Sequence, residues 1–288
     1  MRLGAGLLLA LAAAPAFAHS GEVHTPGWSL EPWIVAPLLL SAVLFGVGWR
    51  RLLARSGHGA AAMRRRAVLF VLGWLVLAGA VVSPLHEAGE RSFTAHMVEH
   101  ELMMLAAAPL LVASEPIAVM LWAFPAAARR RLGGWGKQRL IALPWRVLTE
   151  PITATVIQAL ALWVWHAPAL FEAALAREGW HIAQHLSFLV SALLFWSAVL
   201  HRRGSRGLAA GCLFATSIIG GALGAFMALS ESPWYASYAA MGLAPMGLTP
   251  AEDQQLAGLL MWIPGGMVHA VVALALVAAM LRRQPKTA

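Results

Sequence analysis

Seven stretches of this chain are long and apolar enough to cross a lipid bilayer. They run roughly over residues 31–49, 67–85, 93–113 (extensible to 123), 150–168, 181–200, 208–229 and 256–281. Each is close to the roughly 20 residues that match a hydrocarbon core about 30 Å thick. In lipid every backbone polar group must find its partner within the protein, so only helices or closed barrels can span it. The runs are unbroken and lack the period-two alternation of a barrel strand, which selects helices. Composition agrees, with 60% hydrophobic and 12% charged residues, against about 25% charged for a soluble domain. The single cysteine, Cys212, excludes an internal disulfide and any multi-cysteine metal site.

The basic residues sort by loop. One set of connections carries Arg50, Arg51, Arg55 and Arg64 to Arg66, then Arg129 to Arg131, Lys137, Arg139 and Arg146. It continues with Arg202, Arg203 and Arg206, and ends in a tail with Arg282, Arg283 and Lys286. The alternate connections hold only Arg91 and Arg177. The positive-inside rule makes the first set cytoplasmic and places the N-terminus outside and the C-terminus inside. The net charge of +8 then has a topological cause, and nucleic acid is not expected as a partner. Trp33, Trp49, Trp145, Trp163, Trp180 and Trp262 lie near the predicted helix ends, where amphipathic rings settle at the interface. Residues 1–18 read as a cleavable signal peptide. Arg2 supplies the positive region, Leu3 to Ala14 the short apolar core, and Ala16-Phe17-Ala18 the small-x-small cleavage site. An uncleaved anchor helix is the alternative. The expected fold is all-α, a polytopic bundle of seven transmembrane helices forming one domain over residues 19–288.

Ionisable groups within a membrane are costly and mark candidate functional sites. Of eleven histidines, His58 and His201 fall in or beside basic loops and read as surface residues. The other nine lie on the outer side or within spans. His96 and His100 stand four residues apart at the start of the third span, and His181 and His185 repeat that spacing in the fifth. Side chains at i and i+4 share a helix face with Cβ atoms about 5–6 Å apart, near enough for two imidazoles to reach one metal ion. His86 and His166, at the outer ends of the second and fourth spans, sit at the same depth. These six residues are the candidate metal ligands. Interfacial histidines that snorkel to water or bond between helices are the plainer alternative for each one.

Imidazole suits copper, zinc, nickel and iron, and thioethers beside it favour copper(I). Met97, Met103 and Met104 flank the first pair, and Met241 and Met246 lie in the longest outer loop; core packing or lipid contact accounts for them equally. His19, if it became the mature N-terminus, would add an amine–imidazole chelate suited to copper(II). His269 lies deeper, after Pro264-Gly265-Gly266, as a transfer ligand or an interhelical hydrogen bond. His96-Met97-Val98-Glu99-His100 also fits the H-x-x-E-H pattern of inverted zinc peptidases. No third carboxylate ligand is assignable, and Glu99 reads as well as a carboxylate orienting a ligating imidazole. A b-type haem is a further option, with His96 or His100 on one side and His181 or His185 on the other.

Three stretches resemble the CtaG family of cytochrome c oxidase assembly factors, the multi-span type associated with caa-type oxidases. One is the His96 to His100 motif running through Met103-Met104 to Ala108-Pro109-Leu110-Leu111. Another is Trp163-Val164-Trp165-His166-Ala167-Pro168 followed by His181 and His185. The third is Asp253-Gln254-Gln255-Leu256-Ala257-Gly258 leading to Met261-Trp262-Ile263-Pro264-Gly265-Gly266. The resemblance implies a non-enzymatic, multi-pass protein of the bacterial inner membrane whose partners are oxidase subunits, lipid and copper ion, and which helps to form the oxidase copper centre. Family members are also akin to membrane proteins linked with copper uptake, so a copper permease is the second reading. A permease calls for ligands at every depth, whereas here only His269, Ser217 and Cys212 lie deeper.

Overall fold

The computed structural model describes residues 27–55, 59–201 and 205–282, which form helices and no strands. The proposed signal peptide, His19, His24 and His58 lie outside the described residues. The first two helices, α1 (Pro32–Leu53) and α2 (Ala60–Val82), are long and apolar, and a one-and-a-half-turn helix α3 (Pro84–Gly89) follows α2 directly. The next segment is compound: α4 (Phe93–Glu101), a π-helical turn (Leu102–Ala107), α5 (Ala108–Ala113), and then α6 (Pro116–Met120) with a 3-10 turn (Leu121–Ala123). Helices α7 (Ala126–Trp135) and α8 (Arg139–Leu148) carry much of the basic charge and bury no side chain. The remaining helices are α9 (Pro151–Trp165), α10 (Pro168–Ala176), α11 (Glu178–Leu200), α12 (Arg206–Ala228), α13 (Ala236–Ala240) and α14 (Pro250–Leu281).

Five helices, α1, α2, α11, α12 and α14, are each long and apolar enough to cross a membrane. Two more candidate crossings are broken ones. The segment 93–113 meets 116–123 at 49°, and α8 meets α9 at 71°. The first break is written in Ser114-Glu115-Pro116, because a proline disfavours helical backbone in the residue before it. Glu115 takes the left-handed conformation, with φ of 51°, and Arg66 holds its carboxylate at 2.6 Å. The second break follows the same logic at Glu150-Pro151, where the Glu150 carboxylate accepts a capping hydrogen bond from the Thr153 amide at 2.8 Å. The 15 residues of α9 reach only about 22 Å at 1.5 Å per residue, which is less than the span read over residues 150–168.

Two packing features fix the frame. Helices α12 and α14 meet through reciprocal glycines: a Cβ added at Gly224 would stand 2.6 Å from the Gly258 oxygen, and one at Gly258 would stand 2.5 Å from the Gly224 oxygen. Small residues let backbones approach where lipid supplies no hydrophobic drive between helices. The core behind them is aromatic and aliphatic, built on Phe188, Phe195, Trp196 and Leu213 together with Met104.

The basic residues gather at one end of the bundle. Arg51 donates to the Trp122 and Ala123 carbonyls, Arg129 stacks over the Trp122 ring at 3.8 Å, and Arg206 donates to the Ala279 carbonyl near the end of α14. His86, His96, His100, His166, His181 and His185 lie toward the opposite end, on α3 and α4, at the start of α11 and at the end of α9.

Candidate metal centre

Helix α4 carries His96 and His100 and is anchored from outside its own sequence. Ser92 caps it by accepting from the Ala95 amide. Asp253, at the start of α14, takes the Phe93 amide at 2.6 Å, the Thr94 amide at 3.2 Å and the Ser92 hydroxyl at 3.0 Å. A carboxylate at the positive end of a helix, satisfying amides that have no partner within the helix, is favourable on both counts. Asp253 therefore sets where the first histidine pair stands. Gly89 completes the seat, since a Cβ there would come within 3.2 Å of the His96 Cα.

Five of the six candidate histidines converge. His86, His181 and His185 present ring nitrogens all within 4.8 Å of one another, and so do His96, His100 and His185. His185 belongs to both groups and joins them into one cluster. Its Nε2 lies 3.0 Å from His181 Nε2, and its Nδ1 lies 3.6 Å from Glu99 Oε1. Ring centroids of His96 and His100 stand 4.3 Å apart, and those of His100 and His185 5.0 Å. His166 stands to one side: its Nδ1 donates to the Leu162 carbonyl at 2.7 Å and its Nε2 lies 3.5 Å from Met97 Sδ.

Three ring nitrogens of the cluster, both of His100 and Nε2 of His96, lack a hydrogen-bond partner. His100 is 1% exposed, and neither of its ring nitrogens has a hydrogen bond. His96 Nδ1 faces the Tyr238 hydroxyl at 3.4 Å, and its Nε2 is unpartnered. Burial, and then the Asp253 charge, push the Tyr238 phenol far above its ordinary value, so it keeps its proton and donates it to the Gly89 carbonyl at 2.5 Å. Its oxygen is then left to accept from His96 Nδ1–H, which makes Nε2 the lone-pair nitrogen. Glu99 is fully buried and its Oε1 accepts from His86 Nδ1 at 2.8 Å. Burial opposes charge on His86, but the hydrogen bond and the charge of Glu99 outweigh it and raise the imidazole above its ordinary value. Buried polar groups without partners cost free energy, and three ring nitrogens of this cluster are in that state. That arrangement is what a bound cation relieves.

A cavity of about 770 Å³ leads to the cluster. Glu90, Arg91, His96, His181, Ser237 and Met241 contribute to its wall. Two further residues, Gln184 and Tyr238, stand at the cluster without being legible in the sequence, and the role of Asp253 is not assignable from it. Gln184 lies on the His181–His185 face, fully buried with both amide atoms unpartnered; its i+3 position is the signal that could have found it. Tyr238 comes from α13, in the connection between α12 and α14, and Asp253 acts through backbone amides.

The fold and the site thus define a multi-pass, all-helical membrane protein with a buried imidazole cluster near one end. Residues 43–283 match the family described as cytochrome c oxidase caa3 assembly factor, and the chain belongs to that family. It is similar to uncharacterized proteins of Mycobacterium bovis and Mycobacterium tuberculosis, each 28% identical over 247 residues. Those alignments cover 80% of this chain and 37% of each relative, so the chain spans well under half the length of the curated relatives it matches. No solved structure matches it.

Proposed function

We propose that this protein is a non-catalytic assembly factor that holds copper, as copper(I), at the histidine cluster and releases it to a cytochrome c oxidase subunit. The observation that carries this reading is His185 shared between two three-imidazole groups, with both nitrogens of His100 and one of His96 free of any other partner. Imidazole is a fitting donor for copper. Ring centroids 4.3–6.0 Å apart around His96 and His185 suit an ion and leave no slot for a flat macrocycle. His185 would hold the ion together with His96 and His100, or with His86 and His181, and Glu99 would orient His86 through its Nδ1 proton. The cavity beside His96 and His181 gives a subunit access for ligand exchange, as a hand-over requires.

The topology belongs to the same proposal. With both broken segments counted as crossings there are seven, with the basic end cytoplasmic, the histidine end outside and a cleaved signal before the first. The copper centres of an oxidase are loaded from that outer side. Metal content of the detergent-purified protein tests the reading. Copper near one equivalent is expected in the wild type, with none in a His96→Ala, His100→Ala double variant. No copper in either protein, or a haem absorption band lost in the variant, would overturn it.

A further inference from the structure

The histidine cluster leaves a second set of buried polar atoms unexplained. Glu101, which follows His100 at the end of α4, lines a small cavity of about 40 Å³ inside the bundle. Gln158 from α9, Thr216 from α12 and His269 from α14 line the same cavity, and each is at least nine-tenths buried. Glu101 Oε2, Gln158 Oε1, Thr216 Oγ1 and His269 Nε2 all lack a hydrogen-bond partner. Because His269 Nδ1 bonds the Gly265 carbonyl at 2.8 Å, and a carbonyl only accepts, Nε2 is the lone-pair nitrogen. Thr216 differs from two other buried threonines. Thr149 and Thr155 turn their hydroxyls back to carbonyls four residues earlier at 2.6 and 2.7 Å, whereas the Thr216 hydroxyl makes no such bond. Gly265 gives the carboxylate room, since a Cβ there would stand 3.1 Å from Glu101 Oε2.

The cavity is thus rich in acceptors, holds one carboxylate and has no lysine or arginine in its wall. We infer that it is a binding site for a monovalent alkali cation of the sodium class, coordinated by the Glu101 carboxylate, the Gln158 amide oxygen and the Thr216 hydroxyl, with His269 at its edge. Charge selects a monovalent ion, because one carboxylate neutralises one positive charge in a medium where net charge is costly. Donor hardness selects sodium over copper(I), because three of the four free atoms are oxygens. The volume admits an ion with a bound water. The adjoining π-turn, Leu102–Ala107, belongs to a class of helix defects that recur at functional sites. This site stands apart from the copper reading and does not depend on it.

Thermal unfolding of the detergent-purified protein tests it, with sodium chloride exchanged for choline chloride at constant ionic strength. An ion that binds the folded state raises Tm with its concentration. The expected result is a sodium-dependent rise in Tm that Glu101→Gln abolishes and Thr216→Val shifts to several-fold higher sodium. Radioactive sodium should be retained at a single equivalent by the wild type and lost in Glu101→Gln. The His96→Ala, His100→Ala double variant should keep the sodium response while losing copper, so either site can fail alone. Equal Tm in sodium, potassium and choline chloride would show a cavity filled by water only and overturn the proposal. A sodium response that survives both Glu101→Gln and Thr216→Val would overturn it as well.

Discussion

His185 is the residue on which the cluster turns. It is the one imidazole common to both three-histidine groups, so His185→Ala should abolish copper retention, whereas His166→Ala should leave it intact. Copper content of the two purified variants checks this contrast, and equal loss in both would mean that His166 reaches the ion. Glu99 acts one step away, through His86 Nδ1 at 2.8 Å. Carboxylates that orient a ligating histidine are worth roughly 10–100-fold in metal affinity, and Glu99→Gln should lower copper(I) affinity by that factor in a chelator competition. The i, i+4 spacing of each pair was readable from the sequence because helical geometry fixes it. That Glu99 meets His86, 13 residues earlier in the chain, depends on how α3 packs on α4, whereas His166 spends its Nδ1 locally, on the Leu162 carbonyl four residues before it.

At the scale of elements, the compound segment 93–123 shows a local rule and a tertiary one acting together. Pro109 lacks an amide proton and its ring crowds the carbonyl four residues earlier, and the chain widens to a π-turn just ahead of it, over Leu102–Ala107. The Met104 carbonyl there accepts from the Trp196 indole at 2.9 Å. Trp196→Phe removes that donor and should destabilise the fold by about 1 kcal/mol, read as a lower Tm; an unchanged Tm would mean that the π-turn needs no outside partner. The broken crossings were half legible. The extension of the third span to 123 runs through Glu115-Pro116, and the fourth span starts at Glu150-Pro151, but hydropathy cannot show that the chain turns by 49° or 71° at these points.

Across the whole molecule, stability rests on close backbone contact between α12 and α14. With the Gly224 and Gly258 carbonyls standing within 2.6 Å of where a Cβ would lie, Gly258→Leu should prevent folding in detergent. Gly46→Leu, where nothing lies within 4 Å of an added Cβ, should be tolerated. Size-exclusion profiles and Tm separate the two, and a folded Gly258→Leu protein would refute the assignment. The same packing carries Asp253 from the start of α14 to the N-terminus of α4, so the frame and the site are one construction.

The helical class, the existence of apolar crossings, the partition of basic charge between loops and the two histidine pairs were all set by the sequence by itself. Each follows from short-range periodicity or from the partition of side chains between water and lipid. Tertiary structure alone decided which four of the other histidines meet His185, that His166 stays aside, that Asp253 is a cap, and that Glu101 shares a cavity with His269. Those facts depend on which helices are neighbours and on how each is rotated about its axis. Hydrophobicity does not encode rotation in a bundle that is apolar all round, so only packed small residues and buried hydrogen bonds determine it.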